Sequence, residues 1–543
     1  MTQGETPRRP PTLIKIYSDV NQQFYEQFLW RCTLRRGHKA ISRGNDARRR
    51  RRDMVGFIKA REVHMADVGP YSNYRLTARL ELANHPGMFA RVATTLAEEG
   101  ANLGAVDIVS ATPTIIVRDV TFDVQDEGHG DRVIAALNSI EDLNVVSVSD
   151  RIFLLHLRGK IGVESKLPIT TRNILSMVYT PGVGRVSQAI AKDPAKAYAF
   201  TTKCNSVAIV TDGSAILGLG NLGPYAALPV MEGKAMLFKE LADIDAWPIC
   251  LNTQEPEDIV RMVQGIAPGF GGINLEDISA PRCFEIERRL KDVLDIPVMH
   301  DDQHGTAVVL LAAVTNALKV TKKRIEDVRI VVNGLGAAGL TCCKILLAAG
   351  ASHILGCNRQ GMVLSGDADR LRAARENLGA CIDYERPIGS LRDALKEADV
   401  FIGLSVANVL TPDDLALMAP DRIVFAMANP DPEISPSLAL AHCKIFATGR
   451  SDLPNQINNA LAFPGLFRGA LDVQAKEINE AMKLAAAQAL ADIIPAATLS
   501  EDYIIPSVFD KRVVPNVSKA VAQAAIDTGV ARRVLKSADG STL

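Results

Sequence analysis

Two acidic pairs, Glu276-Asp277 and Asp301-Asp302, are the residues of this chain best placed to do chemistry. Each closes a short apolar run, at residues 272–275 and 296–299, and residues 283–294 between them carry the pattern of a helix. Strand, helix, strand is one crossover unit of an α/β sheet. Both pairs are therefore expected on one rim, at the C-terminal ends of neighbouring parallel strands, where such sheets bind ligands. Carboxylates crowded on one rim repel each other unless a cation sits among them. An all-oxygen ligand set suits a hard divalent ion, Mg²⁺ or Mn²⁺. Two solvated acidic turns would leave the same trace in the sequence, so the rest of the chain must decide.

A second constellation lies downstream. An apolar run at 328–333 leads into Gly334-Leu335-Gly336-Ala337-Ala338-Gly339 and then into a helical pattern at 340–349. G-x-G-x-x-G between a strand and a helix is the dinucleotide-binding arrangement: the glycines allow a tight turn and let the backbone approach a pyrophosphate at the helix N-terminus. The next strand, 352–357, is expected to end in an acid for the ribose 2′-hydroxyl. Here it ends in Asn358, followed by Arg359, which can face a 2′-phosphate, so both NAD and NADP stay open. Further strands at 400–404, 423–426 and 445–447 place Asn429, Arg450 and Asn459 at or near the same rim, where amides suit a nicotinamide carboxamide or a substrate carboxylate.

The elements that must position these groups divide the 543 residues into several domains. Residues 1–70 have no steady period and carry five consecutive arginines, Arg48 to Arg52, so they read as a disordered basic extension. A further reading is that the functional chain begins near Met65. Residues 71–152 give β-α-β-β-α-β, a ferredoxin-like unit: alternating Leu76, Ala78, Leu80 and Leu82, a turn at 84–87, and a helix with Phe89, Val92 and Leu96 on one face. Residues 153–310 alternate strand and helix, with strands expected at 208–211, 216–219 and 248–252 and a helix opening at Met231. Residues 311–470 form the dinucleotide domain. Phe463-Pro464-Gly465 reads as a turn, and 471–543 as closing helices.

Net charge is −1, so no overall field draws nucleic acid or a membrane surface. No apolar run reaches the roughly 18 residues of a bilayer span. Nine cysteines without a Cys-x-x-Cys pair fit reduced thiols in the cytoplasm.

At 84–89, Asn-His-Pro-Gly-Met-Phe followed by Asn102-Leu103 resembles the ACT family of regulatory domains. The resemblance implies an amino acid or similar small effector, often bound across a domain dimer. Seven further motifs, in order from about 155 to 530, resemble malic enzyme in its shorter bacterial branch. They are Tyr179-Thr180-Pro181-Gly182-Val183, Val210-Thr211-Asp212-Gly213, the run 218–223, Glu232-Gly233-Lys234, the run 274–278, His300-Asp301-Asp302-Gln303-His304-Gly305-Thr306 and the run 455–459. That resemblance implies NAD(P)-dependent oxidative decarboxylation of (S)-malate to pyruvate and CO₂ in a homodimer or higher oligomer. It implies Glu276, Asp277 and Asp302 as metal ligands, Lys234 as general base, Tyr179 as general acid, Asp301 beside Lys234, and Asn429 and Asn459 as contacts to substrate and nicotinamide. One departure is Ala215, where larger members carry an arginine for a substrate carboxylate. Lys234, the metal and Arg450 are left as candidates for that task.

Two other classes compete. An amino-acid dehydrogenase also pairs a substrate domain with a dinucleotide domain and a catalytic lysine, but it has no use for the acidic quartet. A silent amino-acid sensor has no use for Tyr179 and Lys234.

Overall fold

The structure is a computed structural model, and it describes residues 74–216, 218–365, 378 and 388–534. The basic extension 1–70 and the start near Met65 lie outside the described residues. All described residues fall in one compact unit, Val68–Leu543.

The first sheet is made of β1 (Tyr74–Ala83), β2 (Asn102–Ala111), β3 (Ile115–Val124) and β4 (Leu143–Asp150), ordered β2-β3-β1-β4. Pairing is antiparallel, with Leu76 opposite Phe122 and Ala78 opposite Val120, so the alternation of β1 buries Leu76, Ala78, Leu80 and Leu82 together. Helices α1 (Met88–Glu98) and α2 (Glu127–Asn138) bring Val92, Leu96, Val133 and Leu137 to that core. On the opposite face Arg75 and Arg79 pair with Asp123 and Asp119 across the strands. This is the expected β-α-β-β-α-β unit. Its edge strand β2 is exposed along almost its whole length.

Helix α3 (Arg151–His156) follows β4 directly and packs against β1 and β4. Helices α4 (Arg172–Val178) and α5 (Val183–Lys192) come next. None of the three contains a buried residue, and Phe153, Leu155, Leu167 and Met177 stand exposed.

The second sheet is all parallel, β6-β5-β7-β8, from β5 (Ser206–Thr211), β6 (Asp245–Cys250), β7 (Gly272–Leu275) and β8 (Val298–His300). Helices α6 (Pro224–Ala242), α7 (Pro256–Ile266) and α8 (Arg282–Val293) cross between its strands. Two expectations need correction here. The described residues of 216–219 do not form a strand: only an isolated bridge joins Ile216 to Gly220, because Gly213, Gly218 and Gly220 take positive φ and turn the chain back. Helix α6 begins at Pro224, not Met231. A proline is tolerated in a first turn, where its missing N–H costs no bond, so Glu232-Gly233-Lys234 lies in mid-helix.

Helix α9 (Asp301–Thr321) leaves β8 and becomes the central core helix, with most of its residues buried. It leads to a six-stranded sheet, β11-β10-β9-β12-β13-β14. The strands are β9 (Arg329–Asn333), β10 (His353–Asn358), β11 (Gly361–Leu364), β12 (Val400–Gly403), β13 (Ile423–Ala426) and β14 (Ile445–Thr448). Only β11 runs antiparallel. Helix α10 (Ala337–Ala348) follows β9 and buries the adjacent Cys342 and Cys343 as packing groups, their thiols raised by burial. Phe463-Pro464-Gly465 is not a turn but the start of α11 (Phe463–Asp472). Gly465 and Gly469 let α13 (Val513–Asp527) close on it, since a Cβ at either would lie 2.6 Å from Val517 or 2.5 Å from the Ser518 carbonyl.

Asn316 locks α9 to the C-terminal helices. Its amide donates to the carbonyl of Ala491, 2.9 Å away at the end of α12 (Glu480–Ala491), and to that of Ile504 at 3.0 Å. The last carbonyls of a helix have no partner within it. Asn316→Ala is expected to lower stability by about 1–3 kcal/mol by leaving buried carbonyls unsatisfied. A fall in the thermal unfolding midpoint would show it, and an unchanged midpoint would count against the lock.

Candidate active site

The C-terminal ends of β5, β7 and β8 converge, as parallel strands must. Beyond β7 come Glu276 and Asp277, and the first turn of α9 begins with Asp301 and Asp302. Acidic residues there are favoured by the helix N-terminus. Asp277 takes a left-handed backbone, φ 52, pinned from both sides: its N–H donates to Asp302 Oδ2 at 2.9 Å and its carbonyl accepts from Ala215 N at 3.0 Å. The acidic pairs, distant in sequence, are thus brought side by side.

Lys234 reaches this rim from the middle of α6. It is 6% exposed, donates to Glu276 Oε1 at 2.7 Å and to Asp301 Oδ2, and lies 4.2 Å from the ring centroid of Phe463. Phe463 packs in turn against Phe238, one turn along α6 from Lys234, with ring centroids 4.7 Å apart and planes tilted by 59°. The amine is therefore held by two carboxylates on one side and an aromatic face on another. Burial alone would lower its pKa, but Asp301, Glu276 and Asp302 outweigh burial and raise it above the ordinary lysine value. Burial raises both Asp301 and Glu276 above the usual carboxylate range, against the pull of Lys234.

Neighbouring side chains fix these groups. Asn274 Nδ2 donates to Glu276 Oε2 at 2.9 Å, and Asn459 Nδ2 donates to Asp301 Oδ2 at 2.6 Å. Asp212, fully buried, accepts from Ser214 N and Oγ at 2.9 and 2.5 Å and pairs with Arg282 at 3.2 Å. Arg282 also donates to Ser279 Oγ at 3.0 Å, so it ties together the loops after β5 and β7. Neither Asn274 nor Arg282 stands out in the sequence. Their one signal is a polar residue inside, or just after, an apolar strand on the acidic rim.

Three carboxylates, Glu276, Asp301 and Asp302, act on one ammonium, and Asp277 is tied to Asp302 beside them. Among the described residues no three carboxylate or imidazole groups stand ready-spaced for a metal. By donor type the set fits a hard divalent cation, which would balance the excess negative charge.

On the second rim, Gly334 has φ 105, and a Cβ there would lie 2.4 Å from the Leu404 carbonyl. A Cβ on Gly339 would lie 1.9 Å from the Gly334 carbonyl, while Gly336 faces open space at the uncapped start of α10. A cavity of about 850 Å³ opens there, lined by Gly334, Leu335, Gly336, Asn358, Arg359 and Ser405. Asn358 Oδ1 accepts from Gln360 N at 2.8 Å and caps the β10–β11 turn, with Arg359 exposed beside it. Glu433, missed in the sequence, is fully buried and accepts from Ser405 N and Ala428 N, both at 3.0 Å. It staples the loops after β12 and β13 and so sets the backbone at Asn429, whose carbonyl lies 2.8 Å from where a Gly218 Cβ would be.

Two expected groups are not brought in. Tyr179 is 67% exposed, and its hydroxyl forms no hydrogen bond among the described residues. Arg450 is spent on Asp452, at 2.9 and 2.6 Å. A different contact reaches α6 from the first sheet. Beyond α3, Lys160 N donates to Glu232 Oε2 at 2.9 Å, and Lys160 Nζ lies 2.7 Å from both the Pro229 carbonyl and His156 Nε2.

A parallel sheet with an acid-and-lysine rim, joined to a dinucleotide-type sheet, defines a two-domain α/β oxidoreductase. Family models for the malic enzyme N-terminal domain and the malic enzyme NAD binding domain match residues 158–291 and 303–529, and one for the ACT domain matches 77–142. The chain belongs to the malic enzyme family. It is 54% identical to the NAD-dependent malic enzyme of Geobacillus stearothermophilus over 458 residues, 84% of this chain and 96% of that one. It is 48% identical to the NADP-dependent malic enzyme of Halomonas elongata, over 69% of this chain and 92% of that one. The crystal structure of an NAD-dependent malic enzyme from Thermotoga maritima aligns with TM-score 0.64 and 48% identity, over 69% of this chain and 99% of that one.

Gly305 tests the geometry of the lysine cluster. A Cβ there would fall 2.0 Å from Asp301 Oδ1 and 3.2 Å from Asn459 Cβ. Gly305→Ala should push Asp301 off Lys234 and lower kcat by about 10²-fold, the scale of a 1 Å misplacement. Steady-state kinetics beside a thermal melt would check this, the melt separating displacement from unfolding.

Proposed function

We propose that this chain catalyses the oxidative decarboxylation of (S)-malate to pyruvate and CO₂, with NAD⁺ or NADP⁺ reduced. The observation that supports this most is buried Lys234 bonded to Glu276 and Asp301, where the acidic rim meets Asn459.

In this reading Lys234 is the general base that takes the C2 hydroxyl proton, and Asp301, itself held by Asn459, sets the direction of its amine. Glu276, Asp277 and Asp302 would hold Mg²⁺ or Mn²⁺, which supplies a Lewis acid at the C2 oxygen. Asp301, Glu276 and Asp302 hold the proton on Lys234, so neutralising the last two with the cation is what frees the amine to act. The dinucleotide, on the 334–339 turn, supplies the acceptor for the C2 hydrogen. Tyr179 returns a proton to C3 once CO₂ has left. Asn358 and Arg359 in place of an acid admit a 2′-phosphate, so NADP is a substrate alongside NAD. The unit at 74–150 takes an amino acid or similar small effector.

Tyr179 sits on an apolar, uncovered segment, while Lys234 is buried. We therefore place Tyr179 in the site of a second copy of the chain, where that segment would be covered.

Absorbance at 340 nm should rise with malate, either cofactor and Mn²⁺ or Mg²⁺, and stay flat with chelator. Lys234→Ala should lower kcat by at least about 10²-fold, the scale of a general base, with dinucleotide binding retained. Near-normal turnover in that variant would refute the base assignment.

Tyr179→Phe and Lys234→Ala chains, each inactive alone, should complement when refolded together. A random mixture of two-fold dimers would recover about a quarter of wild-type activity. Recovery no greater than the two single variants combined would place Tyr179 in its own chain's site.

A further inference from the structure

A second cavity, of about 780 Å³, opens between α8, α9, α10 and the start of α12. Gln303 and His304, the two residues after Asp302, line it, so it lies within a turn of the acidic rim. Nothing in the reaction proposed above uses it.

Inside stands Lys483. Its amine is 3.0 Å from His304 Nδ1. His304 Nε2 faces Glu287, at 2.9 Å from Oε1 and 3.0 Å from Oε2, so Nε2 carries the ring hydrogen and Nδ1 presents a lone pair. Glu287 is further engaged by Lys291 at 2.7 Å. Among the described residues no carboxylate pairs with Lys483. The cavity also holds an unmet donor: Gln303 is 2% exposed and its Nε2 has no hydrogen-bond partner, while its Oε1 accepts from Thr341 at 3.4 Å.

We propose that Lys483 is a carbamylation site for CO₂. The Nζ lone pair forms an N–C bond to the carbon of CO₂, one C=O electron pair moves onto oxygen, and the nitrogen gives up one proton to water. No oxidant or co-reactant is needed. An uncharged amine becomes an anion; burial opposes either charge there, but Lys291 and Lys344, which disfavour an ammonium, favour that anion. Lys291 and Lys344 stand near, and Gln303 Nε2 offers a donor to the new carboxylate. CO₂ is uncharged, so Glu285, Asp292 and Glu477 on the cavity wall do not repel it. The amine is also available: burial pushes it down to about 7, with Lys291 and Lys344 lowering it and Glu287 and Glu480 opposing them. The inference rests on the decarboxylation reading only for its internal source of CO₂, and the chemistry itself needs no turnover.

The test supplies ¹³CO₂ directly to the full-length protein. Carbamate is read by ¹³C NMR and, after trapping with triethyloxonium tetrafluoroborate, by peptide mass spectrometry. The expected result is an ethoxycarbonyl adduct on Lys483 well above that on exposed Lys519, absent in Lys483→Arg. At constant dissolved CO₂ it should rise steeply between about pH 6 and pH 8, by well over the roughly tenfold gain in free amine, because each carbamate formed also releases a proton. No adduct, an adduct no greater than on Lys519, or a yield flat with pH overturns the proposal. A parallel arm feeds ¹³C-malate with cofactor and Mn²⁺. Adduct from CO₂ but none from malate would uphold carbamylation and count against the decarboxylation reading; released CO₂ without adduct in either arm would do the reverse.

Discussion

An ammonium among three carboxylates, on one rim of a parallel sheet, governs the arrangement of the rest. Like charges at such distances cannot stay ionised together in a buried place without compensation. Lys234 provides part of it, and its position is then dictated. It must come from a helix crossing that rim, must be backed by something that tolerates a cation, and must be held in one rotamer. Helix α6, Phe463 and the pair Glu276 and Asp301 meet those three demands. Phe463 belongs to a helix of the other half of the chain, so packing of α6 against α11 and placement of the amine are one event.

Each rim is fastened by a buried acid. Asp212 does this below the acidic rim and Glu433 below the dinucleotide rim. Buried carboxylates are costly unless their oxygens are met by donors. Glu433 is met by two backbone N–H groups; Asp212 Oδ1 accepts from a hydroxyl and a backbone N–H, and its Oδ2 has only the charge of Arg282 beside it. Helix α9 carries Asp301 and Asp302 at one end and packs on α10 and α12 along its length, so acidic rim and dinucleotide turn share one rigid spine.

Much of this was legible in the sequence, and for physical reasons. The alternation in β1, the glycine turn after β9 and the acidic pairs after β7 and β8 are local patterns that the fold keeps. The errors came where local signals conflict. The glycines at 213, 218 and 220 looked like punctuation around a strand, but their positive φ turns the chain back on itself. Pro464-Gly465 looked like a turn, yet proline suits a first helical turn and the glycine serves a helix contact. Asn274, Arg282, Glu433 and Lys483 were passed over because their meaning lies wholly in what folds against them. Tyr179 was legible as a residue type, but its surroundings within one chain do not explain it.

The contact between Lys160 and α6 has a mechanical consequence. Strand β4 runs straight into α3, α3 ends at His156, and Lys160 grips both the Pro229 carbonyl and the Glu232 carboxylate. Glu232 is two residues from Lys234 on the same helix. The first sheet is therefore not a passive appendage on a tether. Displacing β4 loads a short lever whose far end is the turn of helix that aims the amine.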